Sequence, residues 1–248
     1  MIAATRDESQ TQKKFVRLLK PYLQEFNAQS CPVVPAKLGR DVVTLGELVQ
    51  IPRSDLTHVF NNEAMLAISH AIEDLAGEVR EGELISTFQN LENFAPQKRR
   101  YVGLSQDLDA VRVWGAGTPP KRCGRIDFVP IFRPELARYW LVLFASDSAS
   151  AVLVCRQVNQ ASTFDKKLFA GFYSFNPFLV QSIRRQFNLM SCGLDAVVQR
   201  IERELNIPTL SLKELSSYFE DLEKKRPGRR PSVTDSGPRP RRTKLRPE

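Results

Sequence analysis

Two short apolar runs constrain the fold of this chain more than any other feature. They cover residues 140–145 and 151–158, and both are rich in β-branched residues. Asp147 and Ser148 between them are typical turn residues. Runs of this length and composition predict two buried strands of one hairpin. The aromatic segment 171–175 predicts a third strand beside them, and the aromatic side chains there are expected in the core.

Apolar periodicity predicts further helices and strands. A helix is expected over residues 61–79, with Met65 and Ile72 on its buried face. Pro21 is expected to interrupt an earlier helix, and residues 31–35 are expected to form a loop. The other predicted strands cover residues 84–89, 110–114 and 126–131. The other predicted helical segments cover 44–49, 97–104, 134–139, 176–193, 194–205 and 211–224.

These elements predict the α/β (α+β) class: a single mixed β-sheet with flanking helices. The expected organisation comprises an N-terminal helical extension (1–57), a central domain (58–210), a C-terminal helix (211–225) and a disordered basic tail (226–248). No apolar run is long enough for a membrane-spanning helix, and the first residues do not resemble a secretory signal. A cytoplasmic location is therefore expected.

The net charge of +8 is concentrated in the tail. Residues 224–248 contain ten Lys or Arg and two acidic residues, so the rest of the chain is balanced. Pro-rich and almost free of apolar residues, this segment cannot offset its ordering entropy by burial. It is expected to be disordered and to contact nucleic acid or an acidic protein. The candidate contact residues are Arg229, Arg230, Arg239, Arg241, Arg242, Lys244 and Arg246.

Histidines and cysteines give no sequence support for a metal site or a cofactor. Four isolated cysteines and two histidines lack the spacing of zinc ligands, and the cysteines are expected to be buried thiols. His70 lies beside Ser69 and Glu73 on the predicted helix, as does the phosphoacceptor of histidine kinases. The proline and the ATP-binding region that accompany that motif are missing, so we expect a solvent-facing histidine.

Two charged residues leave alternatives open. Glu73 is predicted at the margin of an apolar helix face. It is either a rim carboxylate exposed to water, or a carboxylate that binds a ligand or belongs to a hydrogen-bond network. No second carboxylate is spaced to act with it as a general acid and base. Arg156 ends an apolar strand and lies either at a surface edge or in a cleft, where its guanidinium would bind a carboxylate or phosphate. No catalytic set is recognisable, so an enzyme is not expected.

Several segments, in this order, resemble the DICT sensory domain, a family common in cyanobacterial signalling proteins. They cover residues 65–74, 84–89, 101, 111–115, 140–143, 151–156 and 169–177. The resemblance implies a non-catalytic sensory module that binds a small molecule or a protein partner. It also implies that Ser69, Glu73, Gln89 and Arg156 form the functional surface.

The resemblance further implies how a signal leaves the domain. No cyclase, kinase or receiver segment is visible beside it, so the signal is expected to pass to a separate kinase, cyclase or transcription regulator. The N-terminal helical segment and the basic tail are the available transmitters. The alternative is a nucleic-acid-associated transcriptional regulator that acts through the tail.

Overall fold

The computed structural model describes residues 6–35, 43–50, 57–121, 123–131, 136–161 and 163–189. The helices are α1 (Arg6–Glu25), α2 (Leu45–Leu48), α3 (Asn62–Val79), α4 (Lys98–Asp107) and α5 (Pro177–Leu189). Short 3-10 segments cover Leu91–Gln97, Leu136–Arg138 and Phe164–Lys166. The strands are β1 (Pro32–Pro35), β2 (Val43–Thr44), β3 (His58–Asn61), β4 (Glu83–Asn90), β5 (Ala110–Ala116), β6 (Ile126–Pro130), β7 (Tyr139–Ala145), β8 (Ser150–Gln157) and β9 (Leu168–Ser174).

The described strands form one mixed sheet in the order β2-β1-β3-β9-β8-β7-β4-β5-β6. Pairing is parallel between β4, β5 and β6 and antiparallel between the other neighbours. The α4 crossover between β4 and β5 supplies the connection that parallel neighbours need. The predicted fold class, a mixed sheet with flanking helices, is confirmed.

The sheet buries a different set of helices on each face. Val142 and Phe144 of β7 belong to a core that includes α1 and α3. Leu141 and Leu143 alternate with them and pack against Ile183 of α5. This alternation is the period-2 pattern of a strand buried on both sides, which explains why its sequence is continuously apolar.

The central hairpin and its third strand are confirmed. β7 and β8 pair antiparallel through a turn at residues 146–149, and β9 pairs with β8. The aromatic side chains in and directly after β9 are buried, as expected for core residues: Phe169, Phe172, Tyr173 and Phe175.

Local start signals also give the expected helices. Asn61 caps α3, since its Oδ1 accepts from the Ala64 backbone N–H at 3.1 Å. Thr44 and Glu47 form a reciprocal capping box at α2. Asn176 accepts from the backbone N–H groups of the first turn of α5.

Two predictions near the N-terminus were wrong. Helix α1 continues through Pro21, because this proline is on the exposed face, where water can solvate the freed carbonyl while Leu19 and Leu23 remain buried. The expected loop at 31–35 contains strand β1. Its prolines are the first and last residues of the strand, so neither blocks a central ladder bond. Strand β3 was not predicted at all.

The predicted helices at 194–205 and 211–224 and the basic tail lie outside the described residues, as do all seven candidate tail cations. The domain boundaries remain predictions. Among the described helices, none is long and apolar enough to cross a membrane.

Candidate functional site

A cavity of about 310 Å³ lies between α3, the 3-10 segment before α4, and the sheet. It lies where the C-terminal half of β4 meets the first half of β7. Its walls combine aromatic and aliphatic side chains with hydroxyls, amides and one carboxylate. The lining residues are Leu66, Ser69, His70, Glu73, Ser86, Thr87, Phe88, Gln89, Asn93, Pro96, Gln97, Tyr101, Tyr139, Trp140 and Val142.

A β-bulge in β4 places Gln89 at this cavity. Phe88 pairs with Gly115 and Asn90 with Ala116, so Gln89 is the extra residue in the register. A bulge re-aims the side chain at that point. The Gln89 side chain then receives a hydrogen bond from Lys167 Nζ at 2.5 Å and donates one to Gln157 Oε1 at 2.9 Å.

Glu73 is a buried network carboxylate, so of the two alternatives left open for it the solvated rim group is the wrong one. Its side chain is 4% exposed. Oε2 accepts from Arg100 Nε at 2.5 Å, and Oε1 accepts from Tyr101 OH at 2.7 Å. Tyr101 OH also lies 2.7 Å from Ser86 Oγ in β4. Burial raises the pKa of Glu73, and the Arg100 guanidinium opposes that rise.

Arg100 extends this network to α1. Its Nη2 donates to Asp74 Oδ1 at 2.5 Å and to the His70 carbonyl at 2.8 Å, while Nη1 donates to Tyr22 OH at 3.1 Å. Tyr22 in turn donates to Asp74 Oδ2 at 2.6 Å. Burial and this hydrogen bond raise the pKa of Tyr22 to about 12. One guanidinium therefore connects α4, α3 and α1.

The prediction that His70 faces solvent was wrong. Its ring is half-buried and packs edge-on against Tyr22 and Phe26 of α1, with centroids 5.1 and 5.2 Å away. Desolvation, followed by the Arg100 charge, lowers its pKa to about 4, although Asp74 and a hydrogen bond with Gln97 oppose the shift. The imidazole is therefore neutral at pH 7. It contacts α1 on one side and lines the cavity on the other.

Ser69 is fixed by an aromatic neighbour across the cavity wall. Trp140 Nε1 donates to Ser69 Oγ at 3.0 Å, which links α3 to β7. Three of the four predicted site residues, Ser69, Glu73 and Gln89, thus line one cavity. The fourth, Arg156, is half-buried and is not among the described lining residues. It alternates along β8 with Cys155, which faces α1 and α3, so its side chain is directed to the other face.

Sequence reasoning missed Arg100 and Tyr22 as site residues and noted Tyr101 only within the family resemblance. Arg100 is one of three consecutive cations, residues 98–100, and no local pattern distinguishes the one that turns inward. Tyr22 lies in an otherwise apolar helical stripe with Leu18 and Phe26, a pattern that indicates burial but no polar role. Its polar tip could have been used as a signal, because a buried tyrosine hydroxyl usually has a hydrogen-bond partner.

The predicted burial of cysteines is confirmed for Cys31, Cys123 and Cys155, whereas Cys192 lies outside the described residues. Burial raises the pKa of Cys155 well above its ordinary value. Within the part of the chain that the structure describes, no three metal-ligating side chains come together.

Comparison with known proteins gives one result. The family model described as the sensory domain in diguanylate cyclases and two-component systems (DICT) matches residues 43–158. No curated protein and no solved structure matches the chain. Every lining residue of the cavity falls within the matched segment. Over residues 43–158 this chain is therefore similar to the DICT family of sensory domains.

Proposed function

We propose that the cavity beside α3 binds a small molecule, and that the domain reports its occupancy to a separate signalling protein without catalysing a reaction. The observation that carries this proposal is the connection between the cavity wall and α1. Glu73 and His70 line the cavity, and both also belong to the contacts that hold α1. A bound molecule therefore contacts groups that determine how α1 is seated.

Helix α1 is proposed as the transmitting element. Phe15, Leu19 and Leu23 anchor it in the core, and Tyr22 joins the Arg100 network. α1 precedes the matched segment in the chain and packs against α3 within that segment. A ligand shifts such an element only if it binds two arrangements of the network with different affinity. The proposed partner is a kinase, a cyclase or a transcription regulator.

Native mass spectrometry of the full-length protein, isolated gently from the cells that produce it, tests this function. Asn93 is exposed at the cavity, and Asn93→Tyr would obstruct it without altering the core. Glu92→Tyr is the matched control, since Glu92 is exposed and is not among the lining residues. We expect an extra small-molecule mass in the wild type and in Glu92→Tyr that is lost in Asn93→Tyr. An extra mass that survives Asn93→Tyr would place the ligand elsewhere.

A second candidate is nucleic-acid binding through the tail, because residues 224–248 hold the whole net charge of the chain. This binding would fall steeply with salt as counterions are released. It would also disappear when the chain is truncated after Lys224. Binding that survives the truncation, or that is insensitive to salt, would exclude it.

A further inference from the structure

We infer that the molecule taken by this cavity is neutral, with an apolar body and one edge that both donates and accepts hydrogen bonds. This inference rests on the proposed function and deepens it by naming the ligand class. It is carried by the way charges are distributed around the cavity. The carboxylate in the wall, Glu73, is already paired with Arg100, and the described lining residues include no Lys or Arg.

The wall offers no counter-charge to an anion. Neither Lys nor Arg is among the described lining residues, and the histidine in the wall, His70, is neutral at pH 7. Arg100 is held behind the wall by Glu73 and Asp74. Lys167 lies behind Gln89 and donates to that amide oxygen. An anion would lose its hydration and meet the Glu73 carboxylate, which is costly without a paired cation.

A cation would find Glu73 already engaged. Both carboxylate oxygens accept hydrogen bonds, one from Arg100 and one from the buried hydroxyl of Tyr101. A cationic ligand could pair with Glu73 only by displacing one of these donors. Either displacement would leave a partly buried guanidinium or a buried phenol without its partner.

The remaining lining groups suit a neutral molecule. Asn93 contributes a side-chain amide that offers a donor and an acceptor, and Gln97 contributes a second amide that already shares a hydrogen bond with His70. Leu66, Phe88 and Trp140 contribute apolar surface on the other walls. A few polar groups that orient a ligand against a mainly apolar surface are typical of small-molecule sites. The volume of about 310 Å³ falls at the small end of such sites.

We therefore expect this cavity to reject ligands with two negative charges. A cyclic dinucleotide, which carries two phosphates, would bring two negative charges to a wall that holds a carboxylate and no described cation. The association of the family with diguanylate cyclases thus does not make their product the ligand of this site.

Three probes of nearly equal shape test the inference: benzamide (neutral), benzoate (anionic) and benzamidine (cationic). Each is titrated into ¹⁵N-labelled full-length protein at neutral pH. The readout is the indole N–H resonance of Trp140, which is identified by its loss in Trp140→Phe. We expect benzamide to shift this resonance in a saturable manner, with an affinity at least about tenfold higher than that of either charged probe. The shift should vanish in Asn93→Tyr and persist in Glu92→Tyr.

The outcomes separate the inference from the proposed function. If benzoate or benzamidine binds as tightly as benzamide and Asn93→Tyr abolishes that binding, the cavity is a ligand site but the neutral class is wrong. If no probe produces a saturable shift that Asn93→Tyr removes, the inference about the neutral class fails, and the native mass spectrometry experiment decides the proposed function by itself.

Discussion

The two faces of the sheet each hold a buried carboxylate paired with arginine, and they use it differently. The side chains of Glu73 in α3 and Glu83 in β4 are 4% and 3% exposed. On the α5 face, Glu83 lies 2.6 Å from Arg184 Nε and 3.0 Å from Arg112 Nη1. On the α1 face, Glu73 binds Arg100 and also accepts from the buried Tyr101 hydroxyl.

The two carboxylates differ in how exposed their hydrogen-bond partners are, and therefore in how well water could solvate those partners if the carboxylate were removed. Both partners of Glu83 are about a third exposed, so water can solvate them. The partners of Glu73 are a more buried guanidinium and a fully buried phenol, and they border a cavity. The Glu83–Arg184 pair on the α5 face therefore mainly holds α5 against the sheet. The pair on the α1 face also couples a cavity to a helix.

The largest expected effect is on stability, when each carboxylate is truncated in turn. Glu73→Ala should lower the free energy of unfolding by about 3 kcal/mol, because Arg100 and the Tyr101 hydroxyl lose a buried acceptor. Glu83→Ala should cost only about 1–2 kcal/mol, because its partners reach water. Urea unfolding followed by circular dichroism measures both. An equal or larger loss for Glu83→Ala would break the comparison between the faces.

A smaller effect is expected from pH at His70. Its pKa is about 4 in the folded chain against an ordinary value of 6.5, so the unfolded chain binds the proton first as pH falls. The stability that the neutral ring contributes is complete above pH 6.5 and is lost as pH falls towards 4. We expect wild type to lose about 1–2 kcal/mol more than His70→Gln over this window, after allowing for the partial exposure of the ring.

Thermal unfolding of both proteins across this range measures the difference. Glu73, whose pKa is raised, binds protons earlier in the folded state and opposes the trend. Because Glu73 is present in both proteins, the comparison with His70→Gln is designed to isolate the imidazole. Parallel stability curves for the two proteins would show that His70 is not held neutral by the α1 contact.

The smallest expected effect is a difference in coupling energy between two side-chain pairs that link α1 to α3. A double-mutant cycle on Tyr22→Phe and Asp74→Ala should give a coupling of about 1 kcal/mol, since this hydrogen bond is partly buried and charge-assisted. The same cycle on Arg17→Ala and Glu78→Ala should give no more than about 0.5 kcal/mol, since that pair is 63% and 41% exposed. Equal coupling energies would mean that burial does not strengthen the Tyr22–Asp74 pair relative to the Arg17–Glu78 pair.

Much of the fold could be predicted from sequence, because its signals are local. The continuous apolar runs of β7 and β8 and the caps of α2 and α3 each identify an element without knowledge of its neighbours. β1 and β3 could not be found in this way. Each is only four residues long, and β1 begins and ends with proline, so its strand conformation depends on pairing with distant residues.

The site could be predicted only in part. The family resemblance singled out Ser69, Glu73 and Gln89, and all three line the cavity. Arg156 was chosen with them, yet β-strand alternation directs it to the opposite face. Arg100 was missed because its role depends on groups from two other helices, α1 and α3, that are distant in sequence. Burial of a charge is decided by tertiary packing, and no short window of sequence records it.

The 3-10 segment Leu91–Gln97 forms a wall of the cavity in which some side chains line the cavity without belonging to the hydrophobic core. Only Leu91 and Phe94 within it are buried in the core, whereas Asn93 and Gln97 present their amides to the cavity. Selectivity is thus largely separable from foldability here. Under the proposed function, substitutions at the exposed Asn93 would retune what the cavity accepts while the sheet and the Glu73–Arg100 network stay intact. A library of variants restricted to this wall would be the most direct way to change which ligands the cavity binds.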